Sequence, residues 1–397
     1  MIELRTHRSI RELDAAQWDA LLAPDYVPFL SWTFLEAMEK TGCVRPEVGW
    51  LPQHLSLRRG GELVAVAPAY VKGNSEGEFV FDHSWANYCQ QHLGVDYFPK
   101  LIVAAPFTPA TGPRLLHSPT FPAVEAYRTF AKGLEALTEG SGLSSSHVLF
   151  ITDAAAAELE GAGFLRRHGV QFHWRNAGYT CFDDFLARFS SKRRHAIRRE
   201  RREIDESGME LLTLAGDELG SANIDHLYEF YTSTVDKHFY GRRYLNRDFF
   251  HEICARMPKQ ILAVLAREKG AKKPIAGAFN LVSDRALFGR YWGARQERPF
   301  LHFNVCYYAG IDACIERKLE CFEPGAGGEH KHARGFESTL THSAHFIRDP
   351  RLRAPVERYL RQESAAIIEH LGSEKPILKL SDPTLSALSP AGGEPSQ

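Results

Sequence analysis

Apolar and polar positions along this chain alternate in short bursts. The spacing switches repeatedly between a period of two, which marks strands, and one near 3.6, which marks helices. Residues 2–6 read as a strand and residues 15–22 and 33–40 as helices, the second helix framed by Ser31 as N-cap and Gly42 as C-cap. Residues 54–59 and 63–71 alternate on either side of Gly60-Gly61, a hairpin pattern. Residues 79–81 and 100–104 read as strands separated by an unpatterned stretch, 82–88. A stiff loop with Pro109, Gly112 and Pro113 leads to a helix at 123–137, a strand at 147–152, a helix at 154–160 and a strand at 170–174.

A second pass starts near Tyr179. Helices at 182–189 and 191–206 precede a strand at 210–214, then helices at 223–237 and 247–256. A meander follows over 260–267, 274–283 and 286–292, then a helix at 304–317, a short strand ending at Phe322, a loop, and a long helix at 354–370. The same succession thus occurs twice without a residue-level repeat. Meander, crossing helix and parallel strand make an α/β sandwich, so the pattern predicts two domains, 1–178 and 179–381. The tail 382–397 is rich in Pro, Ser and Gly and is predicted to be disordered.

Composition narrows the function classes. With 397 residues and 44% apolar content, the chain can bury two cores. Its 48 Lys+Arg balance 49 Asp+Glu, which argues against a general nucleic-acid binder. Seven scattered cysteines without a C-x-x-C pair fit a reducing, cytoplasmic setting. No signal-peptide core is visible, and no apolar run approaches the ~20 residues of a membrane span.

The densest chemistry lies at 323–336, EPGAGGEHKHARGF. Small residues from Gly325 to Gly328 allow close backbone approach, and Glu329, His330 and Lys331 follow at once. Glu329 and His330 are candidate proton acceptors and Lys331 a candidate anion contact; the bland reading is a solvated loop. The run 191–202, SKRRHAIRRERR, places Arg194, Arg198 and Arg201 on one helical face, suited to phosphates or equally to pairing with acidic neighbours. Arg290 and Trp292 end a strand and, by alternation, should share a face, with Tyr291 opposite. Tyr244 closes an aromatic and cationic segment, 237–244, and Asp82, His83 and Trp85 are further substrate-contact candidates. His330, His332, His342 and His345 lack a matching cysteine or carboxylate ligand set, so no metal is expected.

The twofold order resembles two tandem GNAT-like domains, each a mixed, largely antiparallel sheet flanked by helices. The stretches FDHSWA (81–86), YFPKL (97–101), VAAPFTPATGPRLL (103–116), FSSKRR (189–194), Phe279-Asn280, RYWG (290–293) and EPGAGGEHKHARGF are similar to those of the FemAB-like peptidoglycan biosynthesis family. The resemblance implies transfer of an aminoacyl group from aminoacyl-tRNA to an amine, usually on a peptidoglycan precursor. It implies no tightly bound cofactor. Acyl-CoA users of the fold carry a glycine-rich pyrophosphate loop. Here that place holds ARQERPFLH (294–302) or PATGP (109–113), which favours aminoacyl-tRNA over acyl-CoA as donor. The alternatives are an acyl-CoA-dependent N-acetyltransferase and a non-catalytic peptide or peptidoglycan binder; neither acceptor nor oligomeric state follows from the sequence.

Overall fold

A computed structural model describes residues 2–22, 27–237 and 241–378, and at Glu329 the backbone alone. The tail 382–397 and residues 238–240 of the aromatic segment lie outside the described residues. Local signals set many boundaries. Ser31 caps the helix Trp32–Lys40 by accepting the Phe34 N–H, and Asn246 caps Arg247–Arg256 through the Phe249 N–H.

In the first half the strands are β1 (Ile2–His7), β2 (Trp50–Pro52), β3 (His54–Arg59), β4 (Glu62–Ala67), β5 (Ala69–Lys72), β6 (Lys100–Val103), β7 (Leu116–His117), β8 (Ser145–Ile151) and β9 (Leu165–Arg175). The second half adds β10 (Met209–Ala215), β11 (Ile261–Glu268), β12 (Ala276–Val282), β13 (Ala286–Ala294), β14 (Cys321–Glu323) and β15 (Glu337–Ile347). A small sheet has the order β1-β3-β4-β7, and an eleven-stranded sheet runs β10-β11-β12-β13-β14-β9-β15-β8-β6-β5-β2.

Two neighbouring pairs among the described strands are parallel, β6 with β8 and β13 with β14, one in each half. Each is bridged by a helical crossover: Ala123–Gly140 in the first half, Leu301–Phe303 through Ala309–Glu316 in the second. This is the predicted echo, but both copies belong to one sheet. β15 returns from the second half to lie between β8 and β9. The sequence reading placed no strand there. β15 buries Thr341, His342, Ser343 and His345, so the apolar alternation that would have announced it is missing.

Three smaller expectations change. The run 63–71 is divided at Pro68, sending β4 to the small sheet and β5 to the large one. Residues 79–81 form no strand, Phe79 having φ +60°, while 83–88 is the helix His83–Tyr88. The last helix begins at Pro350, in the first turn where proline is tolerated. A shared aromatic core joins the halves: Phe29 meets Phe288 edge-on at 5.4 Å, and Phe34 meets Phe249 at 5.7 Å.

Candidate functional site

β13 and β14 pair at three positions only, ending at Phe288↔Glu323. β13 continues along β12, whereas the chain after Glu323 turns away through Gly325, Gly327 and Gly328, at φ +88°, +73° and +90°. Side chains rarely adopt that backbone region, so the turn requires these glycines. The result is a gap between two parallel strands.

At the gap β13 is bulged. Phe279 pairs with Tyr291 and Asn280 with Gly289, which leaves Arg290 as the extra residue. The bulge overturns the alternation expected from sequence. Arg290 lies over the Phe29 ring at 5.3 Å and donates from Nη2 to the Phe107 carbonyl at 3.3 Å. Tyr291 packs against Tyr231 and Phe250, within the same aromatic core. Trp292 turns to the other face, its ring 4.6 Å from His302.

The loop ends in a short 3-10 turn, Glu329–Arg334. His330 is exposed, its Nε2 lies 2.9 Å from the Tyr307 hydroxyl, and it packs among His302, Phe303 and Tyr307. Burial, then the Arg334 and Lys331 charges, hold its pKa below the ordinary value, which favours the neutral imidazole. Lys331 is 3% exposed and donates from Nζ to the Gly325 carbonyl at 2.6 Å; burial pulls its pKa down to about 8. The side chain of Glu329 lies outside the described residues. Arg334 anchors the turn to the basic helix Ser191–Glu206 by pairing with Glu200 at 2.9 Å.

Glu323 forms the other lip. It accepts the Thr111 N–H at 3.2 Å and stands 3.9 Å from His173. Burial pushes its carboxyl up to about 7, against the Thr111 hydrogen bond and the Arg290 and Arg114 charges. The sequence signal available for Glu323 was its place at a strand end before PGAGG. Residues 109–113 are packed against the rest of the protein: the Pro109 carbonyl accepts from Gln171 and the Ala110 carbonyl from Arg114.

The basic helix offers different cations from those expected. Arg198 pairs with Asp183 at 2.9 Å, and Arg201 pairs with Asp312 at 2.9 Å while lying over Phe182. Arg194 is half-buried. Lys192, His195 and Arg199 are exposed along a neighbouring stripe, and Arg199 lies 5.8 Å over Phe300, beside the gap's crossover helix.

Other candidates lie elsewhere. Asp82 is buried and binds a protein ammonium, Lys100, with Ser75 and Tyr97, so it is not free to hold a ligand's ammonium or to orient His83. His83 is exposed against Phe81, and Trp85 is buried against His345. Tyr244 stacks on Phe107 at 4.8 Å. The four histidines separate: His330 meets Tyr307, His332 meets Glu374, His342 meets Arg166 and His345 meets His147. A cavity of about 310 Å³ lies between the basic helix, β10 and Ala309–Glu316, lined by Arg201, Asp205, Tyr308 and Asp312 and not by the glycine loop.

Residues 9–377 match the FemAB-like family, described as peptidoglycan biosynthesis/recognition. The chain belongs to this family. FemX superimposes with TM-score 0.53 at 12% identity, covering 89% of this chain and 100% of FemX. A conserved protein of unknown function from Bacteroides thetaiotaomicron gives TM-score 0.52 at 11% identity, covering 88% and 100%. A tandem GNAT protein from the clavulanic acid biosynthesis pathway gives 0.47 at 10% identity, covering 88% and 99%. No curated protein matches the sequence. The FemAB-like chain has the tandem GNAT fold, mixed α/β with helices flanking the sheet. No described helix is long and apolar enough to cross a membrane.

Proposed function

We propose that this FemAB-like protein transfers an aminoacyl group from aminoacyl-tRNA to an amine on a cell-wall-precursor-like acceptor, at the gap between β13 and β14. The amine nitrogen attacks the ester carbonyl, a C–N bond forms, and the C–O bond to the ribose breaks. His330 takes the amine proton, oriented by Tyr307, and the leaving oxygen is protonated in turn. The N–H groups of β13 that lose their β14 partners hold the carbonyl oxygen as it gains charge.

The observation that carries this reading is the parting of two parallel strands at a bulge, with the exposed His330 following directly on the glycine loop that leaves the gap. A tRNA ester is favoured over acyl-CoA because residues 294–302 hold no glycine and residues 109–113 are packed inside. Lys192 and Arg199 supply exposed positive charge nearby.

The test is transfer of a radiolabelled amino acid from tRNA to a muropeptide precursor. Transfer should occur and fall by ~10²–10⁴ in His330→Asn. Transfer from acetyl-CoA alone, or full turnover in His330→Asn, rejects the reading.

A further inference from the structure

Arg290 and Lys331 are two cations at the gap with no carboxylate in ion-pair contact, the Glu323 charge acting on Arg290 only from beyond that distance. Among the described ion pairs neither has an acidic group within 4.0 Å. Arg290 reaches one carbonyl, that of Phe107 at 3.3 Å, and its Nε is buried without a partner. Its neighbours are the Phe29 ring and the Tyr291 phenol. Lys331 reaches only carbonyls, those of Gly325 at 2.6 Å and Ala326 at 3.4 Å. Glu323, the nearest carboxylate on the strand, is engaged by the Thr111 N–H and His173. Carbonyl dipoles satisfy hydrogen bonds but leave the net charge, and a buried cation without a close counter-ion is costly. An unpartnered buried donor calls for a missing ligand.

We infer that Arg290 and Lys331 form an anion subsite at the gap, which binds a carboxylate or phosphate group of the substrate. This rests on the reading of the gap as the reaction site. His330 is exposed, Arg290 is half-buried and Lys331 is buried. A ligand that reaches both His330 and the two cations carries a reacting amine and an oxyanion. The subsite therefore selects an amine that also bears an acidic group over a simple polyamine. Arg290 offers a planar fork to two oxygens, and Lys331 adds a point charge.

The experiment measures binding without turnover, by calorimetry with three probes: alanylalanine, its C-terminal amide, and methyl phosphate. Alanylalanine or methyl phosphate should bind, the first marking a carboxylate source and the second a phosphate source. The amide should bind at least about tenfold more weakly than the acid. Arg290→Gln and Lys331→Gln should each weaken the bound probe by about tenfold or more, and Arg290→Lys by less. Circular dichroism checks each fold; if Arg290→Gln does not fold, Lys331→Gln decides. The inference is overturned if neither anion binds, if the amide matches the acid while methyl phosphate fails, or if folded variants bind like the parent. Anion binding without aminoacyl transfer removes only the proposed reaction. Transfer without anion binding removes only the subsite.

Discussion

Thr111 donates its backbone N–H to the Glu323 carboxylate at 3.2 Å, so a loop of the first half is tied to the strand end that opens the gap in the second. The Phe107 carbonyl, from the same loop, receives Arg290. The geometry of the gap is therefore set from both halves, although β13 and β14 belong to one.

Glu323 should make stability fall with rising pH. Its folded pKa of about 7 lies above the unfolded value of about 4.3. A raised value means that the protonated form is the one favoured by folding. That contribution is complete below about pH 4.3 and is lost as pH rises through about 7. Glu323→Gln cannot ionise, so its stability should drop less between pH 5 and pH 8, by on the order of 2 kcal/mol, in urea melts. Identical pH profiles for parent and variant would show that the carboxyl is not held in a buried junction.

The glycine of the RYWG stretch has a packing role. A Cβ on Gly293 would lie 1.9 Å from the Phe230 carbonyl oxygen, a backbone atom of the helix Ser221–Val235. Thr234 on the same helix donates to the Trp292 carbonyl. Gly293→Ala should therefore cost about 3 kcal/mol, the upper part of the range for overpacking, because backbone cannot yield as a side chain can. A melting temperature unchanged within a degree would contradict the close approach.

Lys100 holds the buried acids of the first half. It is fully buried, donates to Glu78 at 2.7 Å and also pairs with Asp82. Removing its charge leaves Asp82 and Glu78 without their contacting cation, with only the more distant Lys72 charge. Lys100→Met should destabilise by about 3–5 kcal/mol. The double variant Lys100→Met, Asp82→Asn should recover part of this loss, a coupling that a purely steric role for Lys100 would not produce.

Much of the fold was legible because its signals are local. The Ser31 cap, the Gly60-Gly61 hairpin and the meander β11–β13 depend on residues near in sequence, and all stand where the patterns place them. β15 was not legible, since it lies between two other strands and fills buried positions with His, Ser and Thr bonded to one another and to β8. The site was legible in part. The glycine loop announced a special backbone, and Lys331 is tied back to its Gly325 carbonyl. The faces of Arg290 and Trp292 were not legible, because one bulged residue inverts every alternation beyond it. The partners of Arg198 and Arg201 come from other elements, Asp183 before the helix and Asp312 far along the chain.

That pairing bears on where a tRNA would sit. Arg201 is held by Asp312 and stacked on Phe182, so giving it to a phosphate would leave Asp312 without its partner. Lys192 and Arg199 carry no such obligation, and Arg199 borders Phe300 at the start of the crossover helix. If the proposed donor is right, Lys192 and Arg199 contact its phosphates. Each contact contributes about 0.7–0.9 to the slope of log affinity against log salt. Lys192→Gln with Arg199→Gln should therefore flatten that slope by about 1.5. It should leave the melting temperature nearly unchanged, since exposed charges contribute little stability. Arg194→Gln, Arg198→Gln and Arg201→Gln together should lower stability through the lost Asp312 pair and change the slope less. The opposite ranking of the two sets, measured by filter binding over 50–200 mM salt, would return the phosphate track to the face with Arg194, Arg198 and Arg201. A slope near zero in the parent protein would remove tRNA from this helix altogether.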